Sequence, residues 1–169
     1  MSITAGLVPE FKQEMAGLRK ILALSPADSQ FTWRPHPKSM TLGRLTGHLA
    51  ELPGWGAFTL KATELDLAAD PTRKALGVEP VDQATVLKTF DKNVSEAITS
   101  MLETDDNAWM VPWTLRHGTK VIFTLPRLAV MRVSVINHIV HHRAQLGVYL
   151  RLLDIPLPGL YGPSADEPG

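Results

Sequence analysis

The sequence of 169 residues contains no cysteine. The chain can therefore form neither a disulfide bond nor a thiolate that acts as nucleophile or metal ligand. Any nucleophile or metal ligand must be a histidine, a carboxylate or the hydroxyl group of serine, threonine or tyrosine. This absence excludes cysteine-dependent catalysis and every metal site that is built from thiolates.

An excess of charge of one sign and a long apolar run are also missing. The 17 Lys and Arg residues balance 17 Asp and Glu residues, so no net charge favours binding to nucleic acid or to an anionic membrane. The first residues, MSITAGLVPEFKQEM, lack the basic and apolar regions of a signal peptide, and no apolar run is long enough to cross a bilayer. We therefore expect a cytoplasmic protein that binds neither nucleic acid nor a membrane.

Four segments of the chain have the apolar spacing of amphipathic helices. The predicted helices run from about Ile3 to Leu24, from Leu42 to Lys61, from Val86 to Leu102, and from just after Pro126 to about Leu153. Thr41 is a suitable N-cap for the second helix, and Pro53-Gly54 should kink it. The sequence thus predicts an all-α fold, a four-helix bundle, in one domain that spans residues 1–169.

Two other segments have patterns of their own. In MVPWTLRHGTKVIFTLP, apolar and polar residues alternate on both sides of His117-Gly118, which predicts a short β-hairpin before the last helix. The tail, PLPGLYGPSADEPG, has too much proline and glycine for regular structure. We expect Leu157, Leu160 and Tyr161 to anchor this tail to the body of the protein.

The last predicted helix holds three of the six histidines within five residues. His138 and His142 are four residues apart and therefore lie on one helical face. Apolar residues surround both histidines on that face, namely Met131, Val135, Leu146 and Tyr149. Two neutral imidazoles in a bundle interior need hydrogen-bond partners, and a divalent cation can serve as a partner for both.

A third histidine is suitably placed on the second helix. His48 interrupts an apolar face that also carries Leu45, Leu52 and Trp55. Three histidine ligands in a bundle core would leave coordination positions open for water or substrate, as in catalytic metal centres. We therefore predict that His48, His138 and His142 bind a divalent metal. The alternative is that each imidazole is an ordinary core residue with a hydrogen-bond partner.

Four further residues are candidates for a role in catalysis or substrate binding. Glu51, one turn after His48, could be a general base or a fourth ligand, or else a solvated carboxylate. His141 lies on the flank of the pair, where it supports the ligands or has a structural role. Arg143 and Tyr149 could contact an anionic group of a substrate, but Arg143 could equally pair with a carboxylate elsewhere on the surface, and Tyr149 could simply pack with its hydroxyl group hydrogen-bonded.

The remaining histidines and the tryptophans give weaker signals. His36 lies between two prolines and His117 lies in a turn, so both should be solvated. Ile139 occupies the position of the glutamate in the HExxH motif, which argues against a protease of that class. The tryptophans could wall a pocket or pack in the core or at a dimer interface; they are Trp33, Trp55, Trp109 and Trp113.

The run NHIVHHRAQLGVYLRLLDIPLPGLYGPSADE, residues 137–167, together with LGRLTGHLAELPGW around His48, resembles the DinB-like (damage-inducible) family of four-helix-bundle metalloenzymes. That family has one histidine ligand on the second helix and two, four residues apart, on the last. These positions match His48, His138 and His142. The family often has glycine at the position of Ala144, a change that leaves the ligands intact.

The resemblance implies an up-down-down-up bundle, a zinc or nickel ion, and a homodimer. Some relatives transfer a low-molecular-weight thiol to a small electrophile, so the first functional hypothesis is a thiol S-transferase-like reaction with an external thiol as cosubstrate. The second hypothesis is a metal-dependent hydrolase, with Glu51 or His141 carrying the proton. The third is a bundle that binds a metal or ligand without catalysis. The segment Gly162–Glu167, GPSADE, would fold back over a bundle end or across a dimer partner.

Overall fold

The computed structural model describes residues 2–24, 26, 28–69 and 82–167. Most of these residues are helical. In chain order the helices are α1 (Ile3–Leu22), α2 (Leu42–Lys61), α3 (Gln83–Leu102), α4 (Asp106–Trp109), α5 (Arg127–Val130) and α6 (Asn137–Leu152). A 3₁₀ turn lies at Asp28–Gln30, and a wide π-helical segment, Met131–Ile136, joins α5 to α6 into one long helix. The helical bundle predicted from the sequence is confirmed.

The long helices begin where their capping residues stand. Ser2, Thr41 and Asp82 each accept a hydrogen bond from the backbone N–H three residues later, which satisfies one otherwise unpaired donor of the first turn. The second helix has the predicted bounds. The third begins three residues before the predicted Val86, because Asp82 caps it.

Contacts of α1 with α3 and with the last helix give the relative directions of the three. The Thr4 hydroxyl at the start of α1 donates to the Thr104 carbonyl just after α3, so α1 and α3 are antiparallel. Glu10 pairs with Arg132, and Glu14, one turn later, pairs with Arg143. The later residue of α1 thus pairs with the later residue of the last helix, so the two helices are parallel.

The second helix runs against the last one. His48 contacts His138, whereas Met40, just before α2, accepts a hydrogen bond from Tyr149 near the end of α6. Taken with the α1 contacts, this order makes the four long helices up, down, down and up. The connectivity implied by the family resemblance is therefore present in the structure.

Pro53 lies inside α2, where this helix packs closely on α3. The helix continues through Pro53 to Lys61. One turn before Pro53, the Ala50 carbonyl accepts a hydrogen bond from Asn93 Nδ2 at 2.8 Å. A Cβ atom at Gly54 would lie 3.2 Å from the Asn93 side chain, so glycine permits this approach. The kink that the sequence predicts at Pro53-Gly54 stays a prediction, and the helix continues past these residues.

The predicted hairpin is confirmed, and it belongs to a three-stranded sheet. Strands β2 (Pro112–His117) and β3 (Lys120–Pro126) are antiparallel around a turn in which Gly118 has φ +58°. A short strand that the sequence did not indicate, β1 (Glu64–Asp66), pairs with β2 in parallel. Most of the polar connection between β1 and α3, residues 70–81, lies outside the described residues.

The apolar faces of the four long helices meet in one core. Its fully buried members include Phe11 and Leu18 of α1, Leu45 and Leu49 of α2, and Phe90 of α3. Burial of these side chains supplies the main favourable free energy of folding. Among the described residues, no helix combines the length and apolar character needed to cross a membrane.

The C-terminal tail is irregular, as predicted, and it is fastened to the bundle. Leu157 and Leu160 pack against the core. The Tyr161 hydroxyl lies 2.7 Å from Glu14 Oε2, so the tail reaches α1. In the GPSADE segment, Asp166 pairs with Arg151 of α6, and the Glu167 carboxylate accepts from backbone N–H groups. The segment thus folds back on its own chain.

Candidate metal centre

Three imidazoles from two antiparallel helices converge. The Nε2 atoms of His48 and His138 are 3.4 Å apart, and those of His138 and His142 are 2.9 Å apart. Each of the three histidines places one ring nitrogen within 4.8 Å of the others. His142 is buried, with an exposed fraction of 8%, while His48 and His138 are partly exposed. The structure therefore brings together the three residues that the sequence predicted as a metal site.

Burial keeps these imidazoles neutral. It lowers the pKa of His48 to about 3, and repulsion from His142, His138 and Arg44 contributes further. Burial also lowers the pKa values of His138 and His142, although a hydrogen bond to the backbone of Ser134 and one to Gln145 partly oppose it. Only the neutral ring has a lone pair for a metal ion. The environment thus favours the form that can bind one.

Gln145 fixes the orientation of His142. Its Oε1 atom lies 2.6 Å from His142 Nδ1, and because a carbonyl oxygen only accepts, the ring proton is on Nδ1. The lone pair of the neutral ring is then on Nε2, which faces His138 and His48. A hydrogen bond from the nitrogen opposite the ligating one is the usual support of histidine ligands.

The group fits a divalent cation. Ligand nitrogens at 2.0–2.1 Å from a tetrahedral zinc ion are roughly 3.3 Å apart. Two of the three nitrogen pairs lie near this value, at 3.4 and 2.9 Å, and all three nitrogens lie within 4.8 Å of one another. Three neutral imidazoles hold lone pairs in a half-buried space, and a cation is the partner that all three can share. The three-histidine group could hold a metal ion and would leave at least one coordination position without a histidine.

An ion pair that the sequence reasoning missed lies beside His48. Arg44 Nη1 is 3.3 Å from Glu51 Oε2, and both side chains are mostly buried. Burial raises the pKa of Glu51, whereas the Arg44 charge and hydrogen bond lower it. Glu51 is therefore paired, and it is not the solvated carboxylate that was one of its predicted alternatives. The metal-ligand group found among the described residues does not include it.

His141 lies next to the centre without joining it. Its ring contacts that of His142, with centroids 4.8 Å apart, and the residue is exposed. Whether it supports the ligands or has a structural role stays a prediction. His36 and His117 are both exposed, as predicted.

Arg143 and Tyr149 both have partners within the fold, and a contact of either residue with a substrate stays a prediction. The Arg143 guanidinium is buried and pairs with Glu14 Oε2 at 2.8 Å, and it also contacts Tyr161. The Tyr149 hydroxyl donates to the Met40 carbonyl at 3.2 Å, and its ring meets Trp33 edge to face. Both residues are held by neighbouring parts of the fold, as their alternative predictions stated, except that the Arg143 pair is buried rather than on the surface.

The tryptophans mostly pack in the protein interior. Trp109 is fully buried, and its Nε1 donates to the Thr4 hydroxyl. Trp113 is buried near Phe123. Trp33 and Trp55 are partly buried against the core. Core packing therefore accounts for these residues without a pocket.

Arg44 and Gln145 are the functional candidates that the sequence did not single out. Arg44 is one turn before His48, and Gln145 is three residues after His142, so helical spacing places each on the face of a predicted ligand. That spacing was the available signal. It was not decisive, because polar residues also occur by chance at the edge of a buried face.

Comparison with solved structures identifies the fold. A DinB-like protein from Bacillus cereus ATCC 10987 superposes with a TM-score of 0.68 at 20% sequence identity, over 95% of this chain and 98% of that one. The chain has a DinB-like fold. This confirms, for the fold, the resemblance inferred from the sequence. No protein-family model and no curated protein matches the sequence.

A second match is with a larger enzyme. The mycothiol-dependent maleylpyruvate isomerase superposes with a TM-score of 0.55 at 11% identity, over 92% of this chain. The match covers 62% of the isomerase chain. At such identities the likeness shows a common fold alone, so the chemistry of the DinB-like chain has to be argued from its own residues.

Proposed function

We propose that the DinB-like chain is a metal-dependent enzyme that transfers a low-molecular-weight thiol to a small electrophile. The observation that carries the proposal is the convergence of His48, His138 and His142, in neutral form, at a half-buried point between two helices. The fold likeness to an enzyme described as mycothiol-dependent supports a thiol as cosubstrate.

The three imidazoles would hold a zinc or nickel ion. Such an ion would supply Lewis acidity that brings the pKa of a thiol or a water molecule toward neutrality. The chain has no thiol of its own, so the reacting sulfur must come from outside. In the proposed reaction the thiol sulfur adds to one carbon of a polarised double bond in the electrophile while the π bond breaks, and the proton released by the thiol ends on the other atom of that bond.

The chain's own residues prepare this site in two ways. Gln145 holds His142 in the tautomer that directs Nε2 inward. The buried Leu45 and Leu52, on either side of His48 along α2, hold this part of the helix against the core. Both features fix the ligand set before any substrate arrives, which lowers the cost of reorganisation during the reaction.

Hydrolysis is the second candidate, and Glu51 favours it. This carboxylate lies on the face of His48, and burial raises its pKa toward the range of a general base. Glu51 would then accept a proton from an attacking water molecule. Its pairing with Arg44 favours the thiol reaction instead, because a paired carboxylate is a weaker base.

One experiment separates these functions. Protein purified without a chelating tag is loaded with zinc or nickel and incubated with a model electrophile, alone and with several thiols that include mycothiol. Turnover that requires a thiol and disappears in His48→Ala is the expected result. Turnover with water alone would support the hydrolase, and no turnover with metal bound would favour a non-catalytic metal-binding bundle.

A small-molecule substrate, a homodimer and a cytoplasmic location are further parts of this proposal. Gel filtration of the metal-loaded protein tests the dimer.

A further inference from the structure

Arg44 and Glu51 lie on either side of His48 on one face of α2. Arg44 is four residues before His48 and Glu51 is three residues after it, so all three side chains share that face. The two charged side chains meet, with 3.3 Å between Arg44 Nη1 and Glu51 Oε2. The ion pair therefore spans the stretch of helix from which the His48 ring projects.

The antiparallel packing of α2 on α6 places Arg44 next to the three imidazoles. Met40 contacts Tyr149, and His48 contacts His138 and His142. Arg44 is between Met40 and His48 and thus faces the part of α6 between Tyr149 and His142. Burial is the main cause of the lowered pKa values of His48 and His142, and the positive charge of Arg44 also lowers them, which agrees with this position.

The pairing of Arg44 is weak for a cation that is only 25% exposed. Charge-assisted hydrogen bonds are ordinarily 2.7–2.9 Å long, and Arg19 reaches Asp91 with two contacts of 2.8 and 2.9 Å. Among the ion pairs of arginine in the described residues, that of Arg44 is the longest. Its guanidinium has five N–H groups, and one contact to a carboxylate leaves capacity for another anion.

We propose that Arg44 binds a carboxylate group of the small molecule that occupies the three-histidine centre, and that Glu51 holds the guanidinium in place when no such group is bound. The planar guanidinium matches a carboxylate with two parallel hydrogen bonds. This inference rests on the proposed function and adds a substrate class to it, namely thiols or electrophiles that carry a carboxylate near the reacting atom.

Substitution of Glu51 should change the binding of carboxylate ligands in the opposite direction to substitution of Arg44. Its carboxylate competes with the ligand's carboxylate for Arg44. Removal of the Arg44 charge should therefore abolish a preference for carboxylate ligands, whereas removal of the Glu51 charge should strengthen it. An ion pair with only a structural role would show neither effect, because loss of either partner would then change stability alone.

The test uses two thiols that differ only in charge, β-mercaptopropionate and its neutral amide, β-mercaptopropionamide. Cobalt(II)-loaded protein is titrated with each, and binding is followed by the sulfur-to-cobalt charge-transfer absorption. The variants are Arg44→Gln, Arg44→Lys and Glu51→Gln. Arg19→Gln is the matched control, since it removes an arginine from an exposed ion pair on α1.

We expect wild type and Arg19→Gln to bind the carboxylate thiol about tenfold more tightly than the amide, the size of one good hydrogen bond to a charged group. Arg44→Gln should bind both thiols equally, Arg44→Lys should keep part of the preference, and Glu51→Gln should increase it. If Arg44→Gln does not fold, an increased preference in Glu51→Gln supports the proposal and an unchanged one overturns it.

An unchanged preference in a folded Arg44→Gln, or no preference in wild type, would overturn the role of Arg44 while the cobalt spectrum still supports the metal centre. If wild type gives no cobalt spectrum that depends on His48, the proposed function and this inference both fall. The two failures are thus distinguishable.

Discussion

His142 and Arg143 are neighbours in α6, yet they belong to buried polar clusters of opposite kinds. The positive charge of Arg143 is paired with the Glu14 carboxylate, and its guanidinium also hydrogen-bonds the Tyr161 hydroxyl. His142 faces two other imidazoles, and all three have pKa values lowered by burial. Donors and acceptors balance within the first cluster and not within the second.

The difference separates a structural cluster from the candidate functional one. A buried ion pair that is complete contributes to the arrangement of the fold and has no capacity left for a ligand. Several buried hydrogen-bond acceptors without donors lower the stability of the fold, unless a ligand such as a cation interacts with them. The Arg143 cluster joins α1, α6 and the tail, whereas the imidazole cluster would be completed by a cation.

The largest predicted effect is on the structural cluster. Arg143→Met leaves the mostly buried Glu14 carboxylate without its cation, so the free energy of unfolding should fall by about 3–5 kcal/mol in urea denaturation. The affinity of the folded protein for zinc should not change. Arg19→Met, which breaks an exposed ion pair, is the control and should cost far less, because solvent screens exposed charges. Equal costs for the two variants would contradict the distinction.

Metal loading should stabilise the protein through the imidazole cluster alone. Free zinc at about 1000 times its dissociation constant should stabilise the wild-type protein by about 4 kcal/mol and raise its Tm by roughly 8–16 °C. In the His48→Ala variant this increase should largely disappear, because a ligand is missing. Differential scanning calorimetry at fixed protein concentration provides the measurement. An equal rise in Tm for the variant would place the zinc elsewhere.

The support of His142 by Gln145 should have a smaller effect. Gln145→Ala removes the acceptor that fixes the His142 tautomer, and loss of such a partner typically lowers metal affinity about 10–100-fold. The residue is exposed, so stability without metal should change little. Gln13→Ala, at an exposed position of α1, is the matched control for competition titrations with a chelator. Unaltered affinity in Gln145→Ala would show that the hydrogen bond does not prepare the site.

The smallest expected effect is on the pH dependence of the metal-free protein. The pKa of His48 is about 3 in the folded chain, below the ordinary value near 6.5 of an unfolded one. As the pH falls below about 6.5, the unfolded state takes up the proton first, so stability decreases until the pH reaches about 3. Solvent reaches part of the ring and reduces the effect.

His48→Gln removes this titration. The stability of the variant should therefore fall less steeply between about pH 6.5 and pH 3 than that of the wild type. Urea denaturation at a series of pH values, with chelator present, measures both slopes. Parallel curves would contradict the buried, neutral state of His48.

The sequence predicted the long helices and the three imidazoles because both depend on helical spacing. His138 and His142 are four residues apart in one helix, and His48 lies on an apolar face, so each had a local signal. The partner of Arg143 was not predictable, because Glu14 is 129 positions away and carries no signal of its own. The same holds for β1, whose pairing depends on the distant strand β2.

The π-helical segment is a further feature that apolar spacing did not reveal. Its turns at Met131–Ile136 lie directly before the two predicted ligand positions of α6, and the backbone of Ser134 in this segment hydrogen-bonds His138. Such wide turns often occur at functional sites. A period of 3.6 residues cannot indicate them, because they interrupt that period.

The central claim is that one divalent cation binds between α2 and α6 through three imidazoles. Anomalous diffraction from crystals of the zinc-loaded protein, recorded on both sides of the zinc absorption edge, tests this claim most directly. We predict one strong peak at about 2.0–2.1 Å from a ring nitrogen of each of His48, His138 and His142. A map without a peak between these rings, or with zinc bound only at other residues, would contradict the claim.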